Sequence, residues 1–384
     1  MAAENASNEY YDVVIIGGGP AGATIATFLQ REGHKCLILE SSTYPRYHVG
    51  ESLIPHTYGT LDRLGLLPKL KESDFPAKHS VRFVSPSGRE SDPFYFSETI
   101  EGDGAQTWQV KRSEFDTICL DHAKENGVEV RMATRVNEVL FDEGWTTGVS
   151  AKPRNGNPYQ ICAKAVVDAS GRRAVIGTQL GLKDDVPGLE KASLWSYYRG
   201  GKRLEGIDAG ETTIFMIPER GWFWYIPLPN DIVSVGIVAS PEYLFRNTDH
   251  SEATFISEVD KCEPLKQRLS QASRTDSVRG IRKLAYWNRQ AAGNGWVMVG
   301  DAAAFLDPIY SSGLFLALGS AELAAKSVHQ GLTEGNLSAE MLGTFAGPLQ
   351  RGVNIIKRLI FAFYDPSFSF GEFVKKYPQH RSAL

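Results

Sequence analysis

The fold is decided by residues 11–40, which read YDVVIIGGGPAGATIATFLQREGHKCLILE. A β-branched apolar run at 13–16 leads into a turn of three glycines, and apolar residues then recur at the spacing of one helix face. A second apolar run at 36–39 ends at Glu40. This order of elements predicts a strand–helix–strand unit built around a glycine-rich turn.

The glycine-rich turn predicts a dinucleotide site in a Rossmann-type domain. Gly17 permits the sharp turn, Gly19 lets the backbone approach a pyrophosphate, and Gly22 allows the helix to pack closely against the strand. Backbone amides at the start of the helix attract phosphates, and Glu40 can accept hydrogen bonds from both ribose hydroxyls. The residues predicted to contact the dinucleotide here are Gly17, Gly19, Pro20, Ala21, Gly22 and Glu40.

Composition excludes several classes of function. The 384 residues carry 41 Lys and Arg against 45 Asp and Glu, a formal net charge of −4, so a nucleic-acid partner is disfavoured. The four cysteines are scattered, the histidines form no HxH or HExxH pattern, and the apolar runs are short. We therefore expect no disulfide framework, no metal site and no transmembrane segment. The first residues lack the basic region of a signal peptide, which predicts a cytoplasmic protein.

Beyond Glu40 the alternation of strand and helix is interrupted. Residues 192–239 hold successive β-rich runs separated by turn residues, which predicts a mostly antiparallel sheet inserted into the Rossmann-type domain. A helix is predicted over about 251–273, and an apolar strand at 296–301 precedes a long helix. The predicted fold class is α/β, or α+β overall, with helices at the C-terminus.

Three further segments indicate which dinucleotide binds. They are QVKR at 109–112, VVDASGRR at 166–173 and WVMVGDAAAFLDPIYSSGLFLALGSAE at 296–322. In this order behind a GxGxxG turn, they resemble the FAD-dependent family that contains the aromatic hydroxylases, the geranylgeranyl reductases and the flavin-dependent halogenases. The resemblance covers about residues 11–370. It implies that Asp301 binds the ribityl chain of FAD and that Arg112 lies near its pyrophosphate or ribityl.

The sequence contains no second strand–GxGxxG–helix unit, so we expect FAD to be reduced by a separate flavin reductase. The resemblance also suggests a division of the chain into three parts. These are a discontinuous FAD-binding domain (1–79, 100–185 and 280–335), a β-sheet substrate domain (80–99 and 186–279) and a short C-terminal helical segment (336–384).

Two local features near the N-terminus resemble the halogenase branch. PRYHVGESLIP, which begins at Pro45, is similar to the halogenase PRxxxGESLxP segment. In halogenases its Gly-Glu-Ser part lies close to the isoalloxazine ring, so Arg46, Glu51 and Ser52 are implied to contact the cofactor. Lys78 stands where phenol and pyrrole halogenases carry a lysine. The resemblance implies that its amine hydrogen-bonds hypohalous acid, or becomes a haloamine, and presents the halogen to an electron-rich ring.

Two later features point to the same branch. WFWYIP matches the halogenase WxWxIP motif, and Trp222 and Trp224 are expected on one strand face, filling the space between flavin and substrate. DPIYSSG resembles the halogenase DPxFSSG segment, where backbone amides at the Ser-Gly step hold the halide. A helix N-terminus suits an anion, so chloride or bromide is expected at the amides of Ser312 and Gly313.

The function predicted from this resemblance is an FAD-dependent halogenase. Reduced FAD, O₂ and halide make hypohalous acid, which Lys78 directs to a phenol or pyrrole that is free or tethered to a carrier protein. The residues predicted to be catalytic are Lys78, Trp222, Trp224 and Ser312, and the additional cofactor contacts are Arg46, Glu51, Ser52, Arg112, Asp301 and Gly313. Tyr310 stands where tryptophan halogenases have Glu, which argues against free tryptophan as substrate.

Several alternatives stay open. The chain can be a geranylgeranyl reductase-like oxidoreductase, an aromatic monooxygenase that takes NAD(P)H directly, or a flavin-binding protein without chemistry. The ending FAFYDPSFSFGEFVKKY resembles the start of an extended region that helps to build the substrate site in many relatives. We therefore expect either an open substrate pocket, suited to a large or tethered substrate, or a pocket that a partner completes.

Overall fold

The computed structural model of the protein describes residues 9–218, 221–245, 251–368 and 370–377. The predicted start of the FAD-binding domain at residue 1, the N-terminal residues used to predict a cytoplasmic protein, and the predicted end of the C-terminal segment at 384 lie outside these ranges.

The described chain forms 21 strands and 12 α-helices. The strands are β1 (Tyr10–Ile16), β2 (Cys36–Leu39), β3 (Ala77–Lys78), β4 (Ser80–Val84), β5 (Phe94–Tyr95), β6 (Thr107–Trp108), β7 (Glu129–Arg131), β8 (Thr134–Asp142), β9 (Trp145–Pro153), β10 (Tyr159–Asp168), β11 (Lys183–Asp184), β12 (Ala192–Arg199), β13 (Thr212–Ile217), β14 (Gly221–Leu228), β15 (Ile232–Ala239), β16 (Ser273–Arg274), β17 (Arg279–Ile281), β18 (Tyr286–Asn288), β19 (Ala292–Gly293), β20 (Trp296–Met298) and β21 (Ala304–Phe305). The helices are α1 (Pro20–Arg31), α2 (Tyr58–Leu64), α3 (Leu67–Lys71), α4 (Arg112–Glu125), α5 (Val175–Gln179), α6 (Pro241–Leu244), α7 (Ser251–Lys261), α8 (Glu263–Arg268), α9 (Ser312–Glu334), α10 (Ala339–Leu342), α11 (Ala346–Tyr364) and α12 (Phe370–Lys376).

The first sheet is the predicted Rossmann-type sheet. Its path is β19-β20-β10-β1-β2-β7, and β20, β10, β1, β2 and β7 run parallel to one another. Ile16 at the end of β1 pairs with Asp168 at the end of β10, and Asp168 pairs with Met298 at the end of β20. Because parallel strands end at the same edge, the turns that follow these three strands meet at one place.

The second sheet is mostly antiparallel, as the sequence predicts. Its path is β16-β12-β15-β14-β13-β4-β5, with β17 beside β12 and a single parallel pair between β4 and β13. The predicted fold class, a Rossmann-type domain with an inserted antiparallel sheet, is therefore confirmed. The exact division into domains stays a prediction, although β4 and β5 do join the sheet formed by residues of the 186–279 segment.

One predicted element is wrong. The helix expected over about 251–273 is two helices, α7 and α8, and the chain at Ser273–Arg274 is strand β16. The break falls at Cys262, just before Glu263 and Pro264. Proline has no backbone N–H with which to continue the hydrogen bonds of α7, so the first helix ends. A new helix begins with Pro264 in its first turn, where a backbone N–H has no partner within the helix.

The second sheet is covered on both faces. One face packs against α7 and α8 through residues such as Phe223 and Phe255. The other face carries Trp195, Trp222 and Trp224 towards the first sheet. Alternate residues of β14 point to opposite faces, so its two tryptophans lie together on the inner one.

The indole of Trp224 occupies space that a glycine on the neighbouring strand leaves free. A Cβ placed on Gly236 of β15 would lie 2.2 Å from the Trp224 ring and 2.6 Å from the Cβ of Trp195. Both tryptophans are paired with Gly236 in the strand register. The absence of a side chain at Gly236 therefore allows the two large rings to stand side by side on the sheet.

We predict opposite effects of two glycine-to-alanine substitutions. Gly236→Ala should lower the free energy of unfolding by about 1–3 kcal/mol, because the added methyl group overpacks the space beside Trp224. Gly319→Ala, inside α9 where no atom lies within 4 Å of the added Cβ, should raise it by about 0.5–1 kcal/mol. Urea unfolding of the two variants measures both. Equal stabilities would show that the tryptophan packing does not depend on Gly236.

Candidate active site

A cleft of about 650 Å³ lies between the edge of the first sheet and the inner face of the second. The predicted site residues that line it are Gly17, Gly19, Pro20, Ala21, Glu40, Arg46, Glu51, Ser52, Arg112, Trp222, Trp224, Asp301 and Gly313. Gly22, Lys78 and Ser312 are not among its lining residues. The structure thus brings most of the predicted residues to one cavity and places the other three behind its wall.

The glycine-rich turn is shaped as a cradle at the start of α1. Gly17 has φ +102°, and a Cβ there would lie 2.6 Å from the carbonyl oxygen of Ala169. A Cβ on Gly22 would lie 2.0 Å from the carbonyl oxygen of Gly17. No side chain caps α1, which begins at Pro20. Its first amides are therefore available to an anion such as a pyrophosphate.

Glu40 closes the turn from the end of β2. One carboxylate oxygen accepts a hydrogen bond from the amide of Gly18 at 2.8 Å, and the other accepts one from the amide of Ser42 at 2.7 Å. The hydroxyl of Ser41 also donates to the oxygen that accepts from Ser42, at 3.3 Å. Each carboxylate oxygen has two acceptor sites, so the oxygen bonded to Gly18 can still receive a hydroxyl. Glu40 is thus positioned for the ribose contact that the sequence predicts.

Asp116, which the sequence analysis did not single out, holds the two predicted arginines. Its buried carboxylate accepts hydrogen bonds from Arg112 Nε at 2.7 Å and Nη2 at 3.1 Å, and forms an ion pair with Arg46 at 3.1 Å. Arg112 Nη1 also donates to the carbonyl oxygen of Val49 at 2.8 Å. Arg112 therefore fixes the backbone just before Glu51. The i, i+4 spacing of Arg112 and Asp116 on one helix is the signal that could have revealed the pair.

Arg46 and Asp301 carry the polar groups that the protein leaves unused. Arg46 Nε is buried without a hydrogen-bond partner among the described residues, and its guanidinium lies beside Gly19. The carboxylate of Asp301 likewise accepts no hydrogen bond from the described chain. Burial raises the pKa of Asp301 to about 6, although Arg112 and Arg172 oppose that shift. A free donor beside the phosphate cradle and a free acceptor on the cleft floor fit the phosphates and the polyol of FAD.

Lys78 is buried in the wall of the cleft. Its side chain is 1% exposed, and Nζ donates hydrogen bonds to Ser52 Oγ at 2.7 Å and to the carbonyl oxygen of Leu53 at 3.1 Å. The ring of Phe96 lies 5.3 Å from Nζ. Burial lowers the pKa of Lys78 to about 7. Ser52 lines the cleft, so one hydroxyl stands between the amine and the cavity.

The hydroxyl of Ser52, which accepts the hydrogen bond from Lys78, also contacts further polar side chains. Ser52 Oγ lies 3.1 Å from Thr212 Oγ1, which also accepts a hydrogen bond from Gln109 Nε2 at 2.8 Å. Thr212 and Gln109 come from strand β13 and from the segment after β6, and no local pattern marks them in the sequence. They hold the hydroxyl of Ser52 in place beside the amine.

The two tryptophans of β14 form the inner wall. Their ring centroids are 6.1 Å apart, and both residues are buried. Trp222 Nε1 donates to the hydroxyl of Tyr364 at 2.8 Å, and that hydroxyl donates to Asp307 at 3.0 Å. The end of α11 and the segment before α9 therefore lock the Trp222 ring. A wall held in this way keeps its shape when a ligand enters the cleft.

The start of α9 presents free amides next to this wall. Ser311, with φ +52°, precedes the helix, and no side chain caps it. Gly313 lines the cleft, whereas the side chain of Ser312 is 4% exposed and lies outside the lining. A contribution of Ser312 to an anion site therefore comes from its backbone rather than from its hydroxyl.

Residues 9–218, 221–245, 251–368 and 370–377 contain neither a membrane-spanning helix nor a metal-binding cluster. No helix in these ranges is long and apolar enough to cross a membrane. No group of three or more His, Cys, Asp or Glu side chains in them is arranged to hold a metal ion.

The cleft, its phosphate cradle and its unused polar groups define a flavoprotein. The family described as FAD binding domain matches residues 10–335. The chain is 31% identical to a 1H-pyrrole-2-carbonyl-(peptidyl-carrier protein) chlorinase from Pseudomonas fluorescens, over 98% of this chain and 88% of the chlorinase. It is 35% identical to a tryptophan 2-halogenase from Chondromyces crocatus, over 82% of this chain and 60% of that protein.

A solved structure agrees with these sequence matches. The structure of a myxobacterial chondrochloren halogenase superposes with a TM-score of 0.88 at 33% identity, covering 94% of this chain and 85% of the other. The chain therefore belongs to the flavin-dependent halogenases of the FAD-binding family. It is an FAD-dependent enzyme that takes halide as a substrate, and the reductase-like and hydroxylase-like alternatives are set aside.

The lowered pKa of Lys78 predicts how a neutral replacement changes stability with pH. Between its folded pKa of about 7 and the ordinary value of 10.5, the unfolded chain binds a proton that the folded protein does not. Wild-type stability therefore gains from rising pH in this window, and Lys78→Met removes that gain. The stability of Lys78→Met relative to wild type should fall by on the order of 3 kcal/mol between about pH 6 and about pH 10.

Chemical unfolding at a series of pH values measures this difference. The matched control is Lys124→Met, which removes an exposed lysine of α4 that pairs with Asp121. Its stability relative to wild type should stay nearly constant over the same range. If the free energy of unfolding of Lys78→Met changes with pH as that of wild type does, the amine of Lys78 titrates normally and is not held in an apolar surrounding.

Proposed function

We propose that this halogenase modifies an electron-rich phenol or pyrrole, free or tethered to a carrier protein, and that Lys78 directs hypohalous acid to it. The observation that carries the proposal is the contact between the buried amine of Lys78 and the hydroxyl of Ser52, which itself lines the cleft. An amine at this place is one hydroxyl away from the cavity that fits FAD, and it is shielded from bulk water.

Bound FAD, reduced by a separate flavin reductase, supplies the electrons that activate O₂ for oxidation of the halide. The protein's own residues set the positions of the reactants. The phosphate cradle, Arg46 and Asp301 hold the cofactor along the cleft. The free amides at the start of α9 hold chloride or bromide next to Gly313. The locked tryptophan wall keeps an organic ring away from the flavin side, which disfavours direct hydroxylation.

The surroundings of Lys78 suit the delivery of an electrophile. With a pKa of about 7, the amine is present in both protonation states near neutral pH. The ammonium form donates a hydrogen bond to hypohalous acid, and the neutral form has the lone pair needed for a haloamine. Ser52 and the Leu53 carbonyl fix the direction in which the amine points. A fixed direction is what selective attack on one ring carbon requires.

One of the two relatives, the chlorinase, supports a pyrrole substrate, whereas the other is a tryptophan 2-halogenase. The Pseudomonas fluorescens chlorinase acts on a pyrrole carried by a peptidyl-carrier protein, and it matches nearly the whole of this chain. Tyr310, which stands where tryptophan halogenases have Glu, packs its ring 6.4 Å from that of Phe363. The aromatic surroundings at this position favour a phenol or pyrrole over free tryptophan.

We predict that Lys78→Met abolishes halogenated product while FAD binding and hydrogen peroxide release persist. Methionine keeps the packing volume but cannot donate to hypohalous acid or form a haloamine. The assay contains FAD, NADH, a flavin reductase and bromide with a panel of phenols, pyrroles and indoles, free and carrier-bound, and is read by mass spectrometry. Product formation should fall by a factor of about 10² or more.

The control Lys124→Met should halogenate like wild type, because Lys124 is exposed and lies at the opposite end of α4 from Arg112. Wild-type enzyme without the reductase should oxidise no NADH, which separates it from a hydroxylase that reduces its own flavin. Normal halogenation by Lys78→Met would refute the lysine-directed step. Products confined to the indoles would refute the proposed substrate class.

A further inference from the structure

A row of four hydrogen-bonded side chains lies along the cleft, and three of them, Tyr47, Glu51 and Trp195, line it. Tyr197 OH donates to Glu51 Oε1 at 2.7 Å. The hydroxyls of Tyr197 and Tyr47 are 3.3 Å apart, and Trp195 Nε1 donates to the hydroxyl of Tyr47. The four side chains come from two segments that are far apart in the sequence. Tyr47 and Glu51 precede β3, whereas Trp195 and Tyr197 lie in β12.

The direction of these hydrogen bonds follows from proton counting. Each phenol carries one proton, and Tyr197 gives its proton to Glu51. Tyr47 must therefore donate to Tyr197 and accept from Trp195, because an indole N–H can only donate. All donors thus point from Tyr47 towards Glu51. Such an alignment is the arrangement in which a proton entering at Tyr47 emerges at Glu51.

The exposed fraction of the side chain differs sharply between Tyr47, Tyr197 and Glu51. Tyr47 is 42% exposed, Tyr197 is 9% exposed and Glu51 is 3% exposed. Tyr47 lines the cleft, as Glu51 does, but its side chain is far more exposed, so water has much better access to the phenol of Tyr47 than to the carboxyl of Glu51. Glu51 Oε2 has no hydrogen-bond partner among the described residues, and Glu51 lines the cleft. The inner end of the row is an unsatisfied buried oxygen beside the cavity, and such groups are rare without a functional reason.

The surroundings of these side chains allow Glu51 to gain and lose a proton near neutral pH. Burial raises the pKa of Glu51 to about 7, while the hydroxyls of Tyr197 and Ser234 and the charge of Arg112 act in the opposite direction. Burial also raises the pKa of both phenols, so they stay protonated. The guanidinium of Arg279 lies 3.9 Å from the centroid of the Tyr47 ring at the outer end. A carboxyl that titrates near neutrality can give up a proton and regain it.

The halogenation reaction needs one proton from outside in every turnover. The balanced reaction is FADH₂ + O₂ + X⁻ + H⁺ + ArH → FAD + ArX + 2 H₂O. FADH₂ gives two electrons, and the replacement of C–H by C–X gives two more. These four electrons reduce O₂, whose O–O bond breaks to yield two waters. FADH₂ and the ring supply three of the four protons, so solvent must supply the fourth.

We propose that Tyr47, Tyr197 and Glu51 form a proton relay that carries this proton from water at the exposed phenol of Tyr47 to the buried part of the cleft beside Glu51. Glu51 releases the proton on Oε2 into the cleft while Oε1 takes the proton of Tyr197. Tyr197 takes the proton of Tyr47, and Tyr47 takes one from water. Rotation of the carboxyl and of the two phenol O–H bonds then restores the starting state. The balance holds whether or not Lys78 carries the halogen, so the relay does not rest on the lysine-directed step.

Two conservative variants test the relay. Tyr47→Phe and Tyr197→Phe each remove one hydroxyl and keep the ring. The matched control is Tyr225→Phe, on the other face of the same sheet, where the hydroxyl only donates to the carbonyl of Lys202. With pre-reduced FAD, both relay variants should turn over at least about tenfold more slowly and show a larger solvent deuterium isotope effect. Tyr225→Phe should change neither quantity.

A second readout needs no bound flavin. In infrared spectra of the FAD-free protein, the carboxylic acid band that disappears in Glu51→Gln belongs to Glu51. Its midpoint pH should rise in Tyr197→Phe, because the hydrogen bond that stabilises the carboxylate is lost. The affinity of both relay variants for FAD, measured by fluorescence, should match that of wild type.

The results separate a relay from a structural role. Wild-type turnover and isotope effect in both relay variants would overturn the proposal. A loss of turnover that matches a loss of FAD affinity would also overturn it, because the hydroxyls would then only shape the site. Normal halogenation by Lys78→Met would refute only the lysine-directed step, whereas the relay is judged on Tyr47→Phe and Tyr197→Phe. Failure of one proposal is therefore distinguishable from failure of the other.

Discussion

The structure depends on three parallel strands that end together. β1, β10 and β20 finish in register, so that the glycine turn, the segment after Asp168 and the segment before Asp301 share one edge of the sheet. This edge can exist only if the turn after β1 has no side chain at Gly17, where the carbonyl of Ala169 occupies the space. The phosphate cradle and the floor of the cleft follow from that constraint.

The second sheet completes the site by closing over this edge. Its inner face brings the tryptophan wall, Thr212 and Tyr197 against the segment that contains Glu51 and Ser52. Asp116 and Arg112 anchor that segment from the first domain. The junction therefore buries an amine and a carboxyl, Lys78 and Glu51, and burial moves both pKa values towards neutrality. Groups with such pKa values are suited to exchange protons under working conditions.

Local patterns in the sequence were sufficient for the features that depend on neighbouring residues. The glycine spacing predicted the turn, and the alternation in β14 predicted that Trp222 and Trp224 share a face. Periodicity failed at Pro264, where two helices were interpreted as one. Contacts between distant residues left no local signal. The burial of Lys78 behind Ser52 and the bond between Glu51 and Tyr197 follow only from how the two sheets pack.

The central claim is that the halide and the directing amine occupy separate places, with Ser52 between the amine and the cleft. Anomalous X-ray diffraction at the bromine edge, from crystals of the FAD complex grown in bromide, tests this most directly. We expect a bromide peak at the amides of Ser312 and Gly313, FAD along the cleft, and the amine of Lys78 buried behind Ser52. A bromide peak beside that amine with none at the start of α9, or an amine turned to the outer surface, would contradict it.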